Sequence, residues 1–195
     1  MNYLTQIPMD ESIDVRRGQT LLIAGTLGPV WRVNQGVFKL ERPSLEGQTL
    51  VQLAMPGDLI GVEALCAAPY AFSVTALVSG KAQPQQLGHE AARHTTMAQG
   101  FLQQQRQTCD MHQLRTGPIS RRLAFLLTVL GKQADGRVIE LQRKQLPTLK
   151  EMARVVDSTF ETVCRELNAL VPERHEKPSS IATAWASVSP YAMAA

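Results

Sequence analysis

The sequence predicts an α+β fold in three consecutive parts: an N-terminal β jelly roll or small barrel over residues 1–92, a long helix over 93–115, and a helix-turn-helix segment over 116–195. Three observations predict it. Between residues 18 and 87, short runs rich in Val, Leu, Thr and Phe alternate with Gly and Pro, the punctuation of many short strands. From about 90 to 115 there is one glycine and no proline, so a helix can run unbroken. Residues 148–170 carry two apolar stripes at helical spacing, separated by a turn residue.

The expected strands are Thr20–Ala24, Val30–Val33, Val37–Glu41, Thr49–Met55 and Ser73–Val78. Turn residues divide them at near-regular intervals: Gly18, Gly25, Gly28-Pro29, Gly36, Pro43, Gly47, Pro56-Gly57, Pro69 and Gly80. In the long helix, Met97, Phe101, Thr108, Met111 and His112 share one face, with Gln104 and Gln105 beside it. So narrow a stripe suits a two-helix seam in a homodimer, with Gln105 at its margin; packing on the chain's own barrel is the alternative.

A break at Arg115-Thr116-Gly117-Pro118 ends that helix, and Pro118 suits the first turn of the next. Ile119, Leu123, Leu126, Leu127 and Leu130 carry it to Gly131. After a turn at Ala134–Arg137 the pattern predicts a strand over Val138–Leu141. Leu149, Met152, Ala153 and Val156 then form one apolar face, and Phe160, Val163, Leu167 and Leu170 a second. Thr148 with Glu151, and Ser158 with Glu161, fit the S/T-x-x-E capping box. Asp157 between them tolerates a left-handed turn. Packing the stripes together leaves Glu161, Thr162 and Arg165 outside, the layout of a helix-turn-helix whose second helix enters a DNA major groove. An ordinary helical hairpin with a Glu161–Arg165 surface pair has the same spacing. A C-terminal hairpin over Leu170–Arg174 and Ser180–Ala184, around Glu176-Lys177-Pro178, is the expected end of the fold.

Composition bounds the function. The 195 residues are 44% hydrophobic and 19% charged, as in ordinary globular proteins. Nowhere do apolar residues run long enough to span a bilayer, and M-N-Y-L-T-Q-I-P-M-D-E lacks the pattern of a signal peptide, so no membrane partner is expected. Cys66, Cys109 and Cys164 are odd in number and widely spaced, which suits free thiols in a cytoplasmic protein. Residues 1–114 hold 8 Lys and Arg against 9 Asp and Glu, and residues 115–195 hold 12 against 8. The basic excess sits with the helix pair, where a phosphate backbone is the expected partner.

Three segments resemble the Crp/Fnr superfamily of bacterial regulators, which includes the cyclic-AMP receptor protein and the fumarate–nitrate regulator. P-G-D-L-I-G-V-E-A-L (56–65) is similar to the glycine-rich segment beside the family's effector pocket. T-G-P-I-S-R-R-L-A-F-L-L (116–127) resembles the helix after its hinge, and L-P-T-L-K-E-M-A-R-V-V-D-S-T-F-E-T-V-C-R-E-L (146–167) its DNA-binding core. The likeness spans roughly residues 18–170 and implies a cyclic-nucleotide-binding-like roll, a dimerisation helix and a winged helix-turn-helix. It implies double-stranded DNA as partner, a second copy of the chain, and RNA polymerase if the regulator activates.

Residue by residue, the resemblance implies Glu161 and Arg165 as base readers, a carboxylate for cytosine N4 and a guanidinium for guanine O6 and N7. Cys164 stands where the family has serine or glycine. Thr148, Ser158, Thr159 and Thr162 lie near helix N-termini, where hydroxyls and amides meet phosphate. Gly61, Val62, Glu63, Phe72, Ser73 and Thr75 fall where the effector pocket is expected. Val62, Phe72 and Ser73 replace the glutamate and the arginine–serine pair of cyclic-nucleotide binders, so cyclic AMP is not the expected ligand. An N-terminal cysteine cluster for iron–sulfur is lacking, since Cys66 is the first cysteine. Haem would need an axial Cys or His, for which Cys66 is the one candidate and a small core residue the commoner role. The segment after residue 170 matches the family's wing poorly.

Two other classes share some of these features. A cupin-type metal enzyme needs several His and carboxylate ligands inside the barrel, and no histidine precedes His89. A non-catalytic ligand-binding or scaffold module would not need the basic C-terminal balance or an outward Glu161–Arg165 pair. No enzymatic activity is expected.

Overall fold

A computed structural model describes residues 11–45 and 47–171. The C-terminal hairpin and the wing expected after residue 171 lie outside the described residues. Eight strands come first: β1 Ile13–Val15, β2 Thr20–Leu22, β3 Trp31–Gln35, β4 Phe38–Ser44, β5 Gly47–Ala54, β6 Leu59–Ile60, β7 Ser73–Ala76 and β8 Gly80–Pro84. They pair antiparallel in two four-stranded sheets, ordered β1-β8-β3-β6 and β2-β7-β4-β5. Five of them fall on the expected runs; β1, β6 and β8 do not.

Alternation explains the layering. In β3, Trp31 and Val33 are buried while Arg32 and Asn34 are less so; in β8, Gly80, Ala82 and Pro84 point in. The two inner faces meet in a core that includes Val15, Leu22, Trp31, Val33, Phe38, Ile60 and Val74. Gly36 and Gly80 sit back to back where two strand ends touch. A Cβ on Gly80 would lie 2.0 Å from the Gln35 carbonyl oxygen, so neither backbone leaves room for a side chain.

Helix α1, Glu90–Arg115, starts with His89 accepting a hydrogen bond from the Ala92 amide at 3.1 Å. Polar side chains fasten one of its faces to the sheets. Gln103 accepts from the Leu59 amide and donates to the Leu59 carbonyl, both at 2.7 Å. Arg106 Nη2 reaches both Asp58 oxygens at 2.7 Å, and Gln107 donates to the Leu53 carbonyl at 3.1 Å. Burial holds the neighbouring Asp110 carboxyl above the usual carboxylate range, against the pull of Arg106. Met111, expected on the dimer seam, is only 7% exposed and belongs to the chain's own core; it lies one helical turn along from Gln107, on the fastened face.

The remaining helices are α2 Ile119–Gly131, α3 Leu149–Val155 and α4 Phe160–Leu170. Pro118 caps α2 from outside and does not occupy its first turn. The strand expected over Val138–Leu141 does not form. Val138 makes a single bridge to Lys132, and the Ile139 amide donates to the Gly131 carbonyl. One apolar core unites Leu50 of β5 and the strand-flanking Val37 and Leu77 with Leu114, Leu126, Met152 and Val163 of the four helices. Charged groups cross the same junction. Lys39 Nζ lies 3.1 Å from Glu151 and 3.3 Å from Glu41, and Arg154 Nη1 lies 2.7 Å from Glu41. The helix pair is thereby seated against β4 and β5.

Candidate nucleic-acid interface and β-roll cavity

The α3–α4 pair is built from its turn outward. Asp157 takes φ 49°, the left-handed conformation that the short turn requires. Arg122 of α2 braces that turn, donating to the Val156 carbonyl at 2.7 Å and the Asp157 carbonyl at 3.1 Å. Met152, Ala153, Val155 and Val156 are buried on one side, and Val163 and Leu167 on the other. Phe160 and Leu170, expected in the apolar stripe, are 50% and 41% exposed. They stand at the two ends of α4.

Both helices begin on a threonine. Thr148 accepts from the Glu151 amide and caps α3, but Glu151 turns to Lys39 and does not close a reciprocal box. Helix α4 is capped by Thr159, which accepts from the Thr162 amide; the cap falls one residue after the expected Ser158. The Ser158 amide instead donates to the Ala153 carbonyl, closing the end of α3.

With Val163 and Leu167 buried, the opposite face of α4 carries Glu161 and Arg165 into solvent. The Arg165 side chain is 74% exposed and its Nε stands 3.7 Å from Glu166. A Glu161–Arg165 ion pair does not form among the described residues. Thr162 and Cys164 are half-buried flanks of this face. The face therefore offers an exposed carboxylate acceptor and an exposed guanidinium fork, one helical turn apart.

The β-roll contains a cavity of about 30 Å³ against α1. Gly61, Val62, Glu63 and Phe72 line it as expected, together with Tyr70 and Gln103. Ser73 and Thr75 do not: the Ser73 hydroxyl accepts from the Ala24 amide, and Thr75 faces Thr20 across the strand pair at 3.3 Å. Strand alternation turns both away from the lined side. Glu63 is the only charged side chain in the lining, and its carboxylate is taken by the Ala71 amide at 3.1 Å. Tyr70 donates to the Pro29 carbonyl at 2.6 Å, and burial pushes its pKa up to about 12. Gly61, at φ 70°, is held close beneath that ring; an added Cβ would lie 2.5 Å from Tyr70 Cε1. The space holds about two waters, since one needs ~10–15 Å³.

On the outer face of α1, Met97 (46%) and Phe101 (65%) are exposed, as are Gln105, Thr108 and His112. They lie roughly opposite the face that Gln103 and Gln107 fasten to the roll. All three cysteines are free, and Cys66 is exposed and lies outside the cavity lining, so it is not the small core residue expected. Among the described residues no three His, Cys, Asp or Glu side chains are placed to hold a metal ion, and no helix is long and apolar enough to cross a membrane.

A strand roll, a long connecting helix and a helix-turn-helix pair follow one another along the described residues. That architecture is the fold of the Crp/Fnr transcriptional regulators. A CRP-family regulator from Thermus thermophilus superposes with TM-score 0.64 at 21% identity, covering 81% of this chain and 83% of its own. A CRP/FNR-family regulator from the same organism gives 0.55 at 22% identity, over 82% and 85% of the two chains. FixK2 from Bradyrhizobium japonicum gives 0.55 at 18% identity, over 83% and 84%. No protein-family profile matches the sequence, and no curated protein matches it.

Proposed function

We propose that this chain is a sequence-specific DNA-binding transcription regulator of the Crp/Fnr superfamily, acting as a homodimer on a two-fold symmetric operator. One observation carries the reading: α4 sinks Val163 and Leu167 into the core while it holds Glu161 and Arg165 free toward solvent. Glu161 would accept from cytosine N4 and Arg165 donate to guanine O6 and N7. Thr148, Ser158, Thr159 and Thr162, with Cys164 beside them, would lie along the sugar–phosphate walls and the groove edge. We read residues 1–92 as the sensor roll, 93–115 as the dimerisation helix and 116–195 as the reading domain.

Met97, Phe101, Gln105, Thr108 and His112 would meet their copies across the dimer axis, placing two α4 helices one DNA turn apart, ~34–36 Å. If the regulator activates, RNA polymerase is its further partner. The cavity gives no support to a cyclic nucleotide. It holds about 30 Å³, and its one charged lining residue, Glu63, would repel a phosphate. An effector of the roll, if one acts, would be small and uncharged or would have to open the site.

Selection of bound sequences from a random duplex pool tests the function. A palindromic motif containing a G·C pair in each half-site is expected, with affinity falling steeply as salt rises. Binding with no sequence preference, or with no salt dependence, would refute it.

A further inference from the structure

We infer that Arg122 is a positioning residue for base reading: its guanidinium ties the end of α1 to the α3–α4 turn and so sets where Glu161 and Arg165 stand. The inference rests on the reading of α4 as the groove-entering helix.

The partners of Arg122 are backbone carbonyls. Its Nη1 donates to the Val156 carbonyl at 2.7 Å and the Asp157 carbonyl at 3.1 Å, with the Arg115 carbonyl at 3.5 Å. The first two lie at the C-terminal end of α3, where the helix dipole favours a cation. The third belongs to the last residue of α1. Arg115 in turn donates through its own side chain to the Leu50 carbonyl of β5 at 2.9 Å. Two arginines therefore link the roll, the end of α1 and the turn in one path. Three residues separate Asp157 from Glu161, so a rotation at the turn is carried directly into α4.

The Arg122 Nε is buried and has no hydrogen-bond partner. A buried donor left unpaired costs stability, and an apolar side chain of similar bulk would avoid that cost. What the guanidinium adds is a rigid planar fork that holds carbonyls in fixed directions, which an ammonium point charge does not.

The test compares the full-length parent, Arg122→Lys and Arg122→Met by thermal melting and by binding at fixed salt. The duplexes are the selected operator, the operator with the Arg165-governed pair exchanged in each half-site, and a random sequence. Arg122→Lys should bind random duplex as the parent does, while its preference for the selected operator over the exchanged one falls about tenfold. Arg122→Met should lose at least as much preference. In an Arg165→Ala background, Arg122→Lys should have no further effect on that pair, because Arg122 acts through Arg165. The inference is overturned if both variants keep the parent's preference, or if they weaken binding to all three duplexes alike. It is equally overturned if neither variant folds, since Arg122 is then a stabilising residue. A parent that selects a palindrome, with an Arg122→Lys variant that reads it as sharply, refutes this inference alone. A parent that selects nothing refutes the function with it.

Discussion

Glu41 Oε1 lies 2.7 Å from Nη1 of Arg154, tying a buried strand carboxylate to the first helix of the α3–α4 pair. The contact lacks the alignment of a hydrogen bond and is Coulombic. Lys39 balances the second oxygen at 3.3 Å and hands on to Glu151, while Arg154 also donates to the Gln48 carbonyl. Two acids and two bases thus interleave at the junction of roll and helix pair. Because Arg154 is 37% exposed at its side chain, water weakens the pair relative to a buried one. Glu41→Ala, which leaves Lys39 buried with less compensation, should cost about 2–3 kcal/mol in chemical unfolding. A double-mutant cycle with Arg154→Ala should show coupling. Additive losses would mean that the two groups do not interact.

The two faces of α1 should respond oppositely to substitution. Phe101→Glu alters a side chain that is 65% exposed, so it should leave the unfolding midpoint nearly unchanged and shift the chain to monomer in sedimentation. Met111→Ala removes a core side chain and should cost about 2–4 kcal/mol without changing the oligomeric state. A dimer that survives Phe101→Glu would place the interface elsewhere.

Tyr70 sets an alkaline limit. Its pKa is raised by burial to about 12, so the folded chain keeps a proton that the unfolded chain releases from about pH 10. The associated stability is intact below pH 10 and is lost as pH rises toward 12. Tyr70→Phe should flatten that slope, while costing about 1 kcal/mol at neutral pH for the lost bond to Pro29. An unchanged alkaline slope in the variant would assign it to another group.

Thr159 should show two effects. As the cap of α4 it should contribute about 1 kcal/mol of stability, lost in Thr159→Ala. The same variant should weaken binding to all duplex sequences alike, because a phosphate contact carries no base information. A change in sequence preference would make it a base reader instead.

What the sequence disclosed follows from how local each feature is. The unbroken helix over 90–115, the left-handed Asp157 and the buried partners Met152 and Val163 are written in neighbouring residues. Strand β8 carries Gly80, Ala82 and Pro84 at its inward positions, which supply no bulky apolar signal. The polar fastening of α1 by Gln103, Arg106 and Gln107 joins residues more than forty positions apart. So does the Lys39–Glu151 contact, and no periodicity marks such partners. Phe160 and Leu170 obey the helical repeat but stand at the first and last positions of α4, where each is only partly covered. The resemblance puts Ser73 and Thr75 in the cavity, whereas strand alternation turns both outward.

The base specificity of Arg165 tests the central claim most directly. Competition binding should compare the parent chain and Arg165→Ala on the selected operator and on operators with one G·C pair exchanged in each half-site. The parent should lose about 1–3 kcal/mol per exchanged pair, and the variant should bind both operators equally. An Arg165→Ala protein that still prefers the original pair would contradict the account.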